Sequence, residues 1–263
     1  MERSTRGVQV TEERNATAAV LNNLRASFYL ILSRSFSREL DRDTLKSMEK
    51  TSETLIEAFD LLEIPLEKDF QTGGNLLRTF FEQNRHEDDK TVIADLARCY
   101  ASLFLGVGAK TVSTCESIFR GEARRLFQSS HFEVQQVYQE IGMIKNEKYH
   151  EPDDHIAVEL SFMARLCELT QEALGESQGR SANYLRLQSD FLENHLLPWI
   201  PDFSRDLLEA TSSSFYRGMA HLLNGYIKLD NQLIQSMIQE IDQSAYFDRE
   251  GGKRRTRFIP ENK

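Results

Sequence analysis

The sequence predicts an all-α protein, a single helical domain of about ten helices. Three observations carry that prediction. Apolar residues recur at spacings of three and four through most of the 263 residues. Helix breakers are scarce: the five prolines are Pro65, Pro152, Pro198, Pro201 and Pro260, and none falls in 66–151. No stretch shows the strict alternation of a half-buried strand, and no internal repeat has a fixed period.

Taken in order, Val20, Leu24, Phe28 and Ile31 form the first stripe, preceded by a polar segment, 1–16, expected to be flexible. Leu45, Met48, Leu55, Phe59 and Leu62 form a second, ended by Pro65. Gly73-Gly74 reads as a break, after which Leu76, Leu77, Phe80 and Phe81 start a third helix. Thr91 is placed to cap a fourth, with Val92, Leu96, Tyr100 and Leu103 inward and Gly106 at its C-terminal cap. The periodicity lapses over 106–117, and Val134, Val137, Tyr138 and Ile141 mark the next helix. The polar stretch 145–150 reads as a linker, and Pro152 opens a helix of roughly 20 residues. That helix is apolar on two sides (Ile156, Leu160, Met163, Cys167 and Val158, Phe162, Leu166, Leu169), so it is expected to be central. Its end falls at 175–179. Tyr184, Leu187, Phe191 and His195 continue to Pro198, and Phe215, Met219, Leu222, Tyr226, Leu229, Leu233, Met237 and Ile241 give a long last helix. The folded domain is thus expected over 17–247, with a flexible basic tail, 248–263. Within the tail, Lys253, Arg254, Arg255 and Arg257 followed by Phe258 read either as a solvated basic end or as a basic-then-apolar mimic of a client segment.

Composition removes several function classes. The net charge of −9 repels a phosphate backbone, which argues against nucleic acid as a partner, although the same charge also serves solubility. Cys99, Cys115 and Cys167 are odd in number and widely spaced, so neither a disulfide framework nor a zinc site is expected. No apolar run approaches the roughly 20 residues of a membrane span. The N-terminus lacks the apolar core of a secretory signal, so a cytoplasmic protein is expected.

The most informative segment is His150-Glu151-Pro152-Asp153-Asp154-His155, followed by Glu159. As local structure it is a helix start: Pro152 at the first position, Asp153 and Asp154 in the first turn against the positive end of the dipole, and His155 four residues from Glu159 on one face. As chemistry, His150, His155 and Glu159 pose the alternative of a metal-dependent hydrolase. The histidines are five apart with Pro152 between them, however, and that spacing does not put both on one helical face. Neither a nucleophile elbow nor a phosphate-binding loop is present.

Three ordered blocks resemble the TorD/DmsD family of cytoplasmic molybdoenzyme maturation chaperones. Glu151-Pro152-Asp153-Asp154-His155 resembles its E-P-x-D-H signature. Tyr100-Ala101-Ser102-Leu103-Phe104-Leu105-Gly106 followed by Glu116-Ser117-Ile118-Phe119 resembles its Y-x-x-L-F-x-G and E-S-V-Y elements. His195-Leu196-Leu197-Pro198-Trp199 resembles its H-L-x-x-W. The loop 108–115 departs from the family by lacking proline and aromatic residues. The resemblance implies N- and C-terminal halves joined at a hinge near the E-P-x-D-H motif, about 145–155, in a monomer or a hinge-swapped dimer. It implies a system-specific chaperone, not an enzyme, that binds the twin-arginine signal peptide and the apo catalytic subunit of a molybdopterin oxidoreductase and holds it for cofactor insertion. No resident cofactor is implied, and binding of a nucleotide or cofactor precursor stays open. Candidate client-contacting residues are Tyr100, Leu103, Phe104, Gly106, Glu116, Ser117, Phe119, Glu151, Pro152, Asp153, Asp154 and His155. Carboxylates would receive arginines and the rings would line an apolar groove, although periodicity alone also fits Tyr100, Leu103 and Phe104 as core. A helical adaptor for an unrelated client is the remaining alternative.

Overall fold

The computed structural model of the chain describes residues 2–61, 64–146, 148–174 and 178–253. Ten α-helices are present among them: α1 (Glu2–Ser37), α2 (Arg42–Leu61), α3 (Lys68–Asn84), α4 (Asp89–Phe104), α5 (Glu116–Arg120), α6 (Ser129–Glu140), α7 (Ile156–Leu174), α8 (Gln178–Phe191), α9 (Ile200–Ala210) and α10 (Ser214–Lys253). A π-helical turn, Leu192–Leu196, continues α8.

Helix α7 is central, as its two apolar sides predict. Ile156, Leu160, Phe162, Met163, Leu166 and Cys167 are all buried, with α1 packed along one flank and α8 along another. α10 runs against α3, α8 and α9. The common core joins Phe28, Leu32 and Phe36 of α1, Phe70 and Leu77 of α3, and Phe215, Leu223 and Tyr226 of α10.

Several expected boundaries move, each for a physical reason. Gly73-Gly74 does not break α3, because the glycines are where α3 meets α10. A Cβ on Gly73 would lie 2.5 Å from the Leu222 backbone nitrogen, and one on Gly225 would lie 2.2 Å from that of Phe70. The missing side chains let two helix backbones approach, and the packing gained outweighs the roughly 1 kcal/mol helix cost of a glycine. The cap of α4 is Asp88, three residues before Thr91, and Thr91 N–H donates to the Asp88 carbonyl at 2.9 Å. Pro198 does not lead straight to the last helix: Pro201 lies in the first turn of α9, where a missing N–H costs nothing.

The first stripe is rotated from its predicted face. Val20 is exposed, while Asn22, Arg25, Tyr29, Leu32 and Ser33 are buried with Phe28. α1 is helical from Glu2, where a flexible segment 1–16 is expected, and α10 continues to Lys253, past the expected tail boundary at 248. The rest of the tail, 254–263, with Arg254, Arg255, Arg257 and Phe258, lies outside the described residues, as do Leu62 and the end expected at 175–177.

The rotation of α1 exposes what periodicity could not find. Arg25, fully buried, reaches Asp230 of α10 with two parallel bonds, Nε to Oδ1 at 2.5 Å and Nη2 to Oδ2 at 2.9 Å. Its other donors go to Asn22 Oδ1 (2.8 Å) and Gln188 Oε1 (2.6 Å), and Tyr29 Oη donates to Asp230 Oδ2 at 2.5 Å. A bidentate, fully hydrogen-bonded pair is the form in which a buried charge is tolerated.

Candidate functional site

The E-P-D-D-H segment is not the first turn of α7. The loop before α5 runs beside it and takes its backbone groups. Glu116 N–H donates to the Asp154 carbonyl (2.9 Å) and Ile156 N–H to the Thr114 carbonyl (2.7 Å), around an antiparallel bridge between Cys115 and His155. The helix therefore starts only at Ile156. Pro152 lies in the turn before it, its carbonyl accepting from His155 N–H at 3.1 Å.

Each motif residue then has a different task. His155 caps α7: its Nδ1 accepts from Ala157 N–H at 3.1 Å. Burial, opposed by Asp154 and helped by Lys145, lowers its pKa to about 4, so the ring stays neutral and can accept. Asp154 caps α5 instead of α7. Its Oδ2 accepts from Ser117 N–H (2.8 Å) and its Oδ1 from His131 Nδ1–H (3.1 Å), and the side chain is fully buried. Asp153 pairs with Lys145 at 2.8 Å and accepts from Gln135 Nε2 at 3.1 Å. Glu151 is exposed, and its charge helps raise the phenols of Tyr100 and Tyr149, after burial as the larger cause.

Behind the motif lies a second cluster. Glu116 Oε1 accepts from Arg120 Nη1 (2.6 Å), and its Oε2 from His195 Nδ1–H (3.2 Å). Glu159 Oε2 accepts from Trp199 Nε1 at 3.2 Å. Burial first, then the Glu116 and Asp154 charges, raises the Glu159 pKa well above its ordinary value. The three sequence blocks thus meet here: Glu116 and Ser117 from the second, Asp154 and Glu159 from the first, His195 and Trp199 from the third.

The residues expected to line a client groove are largely taken up inside the fold. Tyr100 and Leu103 are core residues, the Tyr100 hydroxyl donating to the Phe36 carbonyl at 3.2 Å. Phe104 packs on Phe36, Tyr100 and Tyr216, and Phe119 on Trp199 and Phe203. Gly106 is the left-handed residue (φ +73°) just past α4, where a glycine cap belongs. Glu116, Ser117, Asp154 and His155 are buried and engaged inside the fold. Nor are the residues of the hydrolase alternative brought together. His150 is exposed, His155 spends its Nδ1 on the α7 cap, and Glu159 faces Trp199. Among the described residues no three His, Cys, Asp or Glu side chains are placed to hold a metal ion.

An apolar groove exists on the other side of the motif. It has a volume of about 490 Å³ and lies between the second half of α1, the start of α7 and the linker after α6. Leu30, Met143, Ile144, Val158 and Phe162 supply its apolar surface, and Arg34, Arg38 and Lys145 its charged edge. Ile144 is 90% exposed and Leu30 47%, which leaves unusual apolar area open to water. The Tyr149 hydroxyl, in the same wall, is buried with no hydrogen-bond partner among the described residues. Sequence reasoning took 145–150 as polar linker only. The available signal was the pair Met143-Ile144 standing at its start, beyond the end of α6.

The family described as nitrate reductase delta subunit matches residues 65–205, more than half of the chain. Proteins named chaperone protein TorD are similar to it. That of Vibrio parahaemolyticus is 27% identical over 218 residues (80% of this chain, 94% of the relative), and that of Photobacterium profundum is 28% identical over 213 residues (80% and 93%). A solved structure described as a candidate redox enzyme maturation protein from Archaeoglobus fulgidus is 19% identical, covers 79% of this chain and 93% of its own, and has a TM-score of 0.45. Among the described residues no helix is long and apolar enough to cross a membrane. With its three motif blocks gathered at one junction and the family match spanning all of them, the chain belongs to the TorD/DmsD family of redox-enzyme maturation chaperones.

Proposed function

We propose that this chain is a cytoplasmic, non-catalytic chaperone that receives the twin-arginine leader and the apo catalytic subunit of a molybdopterin oxidoreductase, and holds them while the cofactor is inserted. The observation that carries the reading is the open apolar groove beside the E-P-D-D-H segment, whose lining residue Lys145 bonds to Asp153 and to the Glu151 carbonyl of that segment. A leader presents arginines followed by an apolar stretch. Carboxylates suit the guanidinium groups, and the Leu30, Met143, Ile144, Val158 and Phe162 surface suits the apolar part.

Of the residues expected to contact client, Glu151 and Gly106 are exposed, and Asp153 is partly shielded by its pair with Lys145. Pro152, Asp154 and His155 act by holding Glu151 and Asp153: Asp154 ties the segment to α5, and His155 fixes the start of α7. Glu116 and Ser117 are the other side of that tie, and Tyr100, Leu103, Phe104 and Phe119 set the core on which it rests. The stretch 145–155 is then the joint between the two halves of the molecule. Ordering a flexible leader costs about 2–5 kcal/mol, which leaves a moderate affinity suited to release of the client. Co-purification from the native host followed by mass spectrometry tests the reading. A molybdoenzyme catalytic subunit among the stoichiometric partners supports it, and an unrelated partner set with no such subunit contradicts it.

A further inference from the structure

Lys145 stands where a client arginine would be received. It comes from the irregular linker after α6, lines the groove, and places its ammonium on two groups of the motif, the Asp153 carboxylate (Nζ to Oδ1, 2.8 Å) and the Glu151 carbonyl. Both partners of the ion pair are shielded, with side-chain exposures of 24% and 15%, so the contact is more than a solvated surface pair. The other oxygen of Asp153 is held by Gln135 Nε2, which leaves the oxygen on the Lys145 side as the one a competing cation would take. The remaining cations of the rim are placed differently. Arg34 is committed to the Arg38 and Glu39 carbonyls and to Asp41, and exposed Arg38 has no ion-pair partner among the described residues. Arg38 repels a basic segment from its own end of the groove, so the motif end is where arginine can enter.

We infer that Lys145 is an internal stand-in for the leader arginine, a cation that keeps the Asp153 carboxylate occupied until a guanidinium displaces it. The inference rests on the leader-binding reading above and adds to it the residue that sets its threshold. The chemistry favours exchange in one direction. An ammonium meets its partners as a point charge, whereas a guanidinium offers a planar fork of donors for the Asp153 oxygen and the Glu151 carbonyl that Lys145 now holds. A lysine or glutamine in the leader has no such advantage; displacing the stand-in costs every leader the same, so Lys145 sets the affinity threshold and the fork of donors sets the preference. Displacement also unties the linker from the motif, because the two Lys145 contacts join 145 to 151 and 153. Binding at the groove is thereby coupled to the joint between the halves.

The test titrates the full-length chain by calorimetry with a synthetic peptide of two consecutive arginines followed by about twelve apolar residues, and with the same peptide carrying glutamines in place of the arginines. Lys145→Met keeps the aliphatic stem and removes the competitor. It should bind the arginine peptide about three- to tenfold tighter, the range for one partly shielded ion pair. Lys145→Arg installs the stronger donor in place and should bind several-fold weaker. Asp153→Asn should weaken binding and abolish the difference between lysine and methionine at 145. Thermal melts establish that each variant is folded. Equal affinities for the wild type, Lys145→Met and Lys145→Arg, with the preference for arginine over glutamine intact, would overturn the stand-in while leaving leader recognition standing. Absence of arginine-dependent binding in every variant would overturn both.

Discussion

Two regions of this molecule bury charge, and they differ in how completely the charges are answered. Where α1, α8 and α10 meet, Arg25 and Asp230 are of opposite sign, joined by two bonds, and each is supplied with further neutral partners. Under the E-P-D-D-H segment, Glu116 and Glu159 are of like sign. Burial, with the Glu116 charge beside it, pushes the Glu159 pKa well up, and Glu159 Oε1 is a buried oxygen with no partner among the described residues. The first region is closed and has one good arrangement. The second is held together by caps and bridges between α5, α7 and the π-helical turn, and its energy depends on protonation. Part of every block of family resemblance lies at the second, and the groove and the linker flank it. Strength is built where the helices of the bundle join, and adjustability where the client is proposed to bind.

The comparison is broken most forcefully at Asp230. Asp230→Ala leaves the Arg25 guanidinium buried without its partner, and should cost about 3–5 kcal/mol in urea unfolding. Replacing both residues together by Met and Leu should recover most of that loss. Recovery shows that the pair fixes the register of α1 on α10 without being a net source of stability.

Next in size is the acid response of His155. Its folded pKa, about 4, lies below the unfolded value of about 6.5, so the unfolded chain binds more protons between those values. Its contribution to stability is therefore complete above about pH 6.5 and is lost as the pH falls toward 4, by about 3 kcal/mol. His155→Asn, whose Oδ1 can replace Nδ1 as the acceptor for Ala157 N–H, should remove that pH dependence and keep the cap. His155→Ala should lose the cap as well, about 1–2 kcal/mol at every pH.

Glu159 has the opposite sign. Its raised pKa means the native state retains a proton after the unfolded chain has released it near pH 4.3, so stability falls as the pH rises from there toward the folded value. The slope is at most about 1.4 kcal/mol per pH unit. Glu159→Gln should flatten it, and the difference between variant and wild type, read from denaturant midpoints across pH 5–8, should grow with pH. The smallest effect is expected at Tyr149. Tyr149→Phe removes a buried hydroxyl that has no partner among the described residues, and should leave stability unchanged or raise it by up to about 1 kcal/mol in a thermal melt.

Sequence reading reached the fold through particular residues and stopped at others for identifiable reasons. The two-sided pattern of α7 and the long stripe of α10 name the central helices, because apolar side chains at helical spacing have few alternatives. Arg25 and Asp230 were invisible. A charged residue on a buried face looks like surface until its partner, 205 residues away, is placed beside it. Gly73 was misread because a glycine inside a helix looks like a break unless the opposing backbone at Gly218 and Leu222 is known. Within the candidate site, the sequence marks the motif residues as a unit, but not the structural task of each. Asp154 caps a helix other than its own because the loop at 114–116 pairs with 154–156, a tertiary event with no local signature. The groove was missed because its wall is made by a linker whose apolar pair, Met143-Ile144, has no periodicity to reveal it.

The most direct measurement is hydrogen exchange of the chain with and without a twin-arginine leader peptide. The account predicts slowed exchange confined to 143–158 and to the second half of α1 around 30–38, with α3 and its α10 contact unchanged. Protection that falls instead on the α2–α3 surface, or none at all despite saturating peptide, would contradict it.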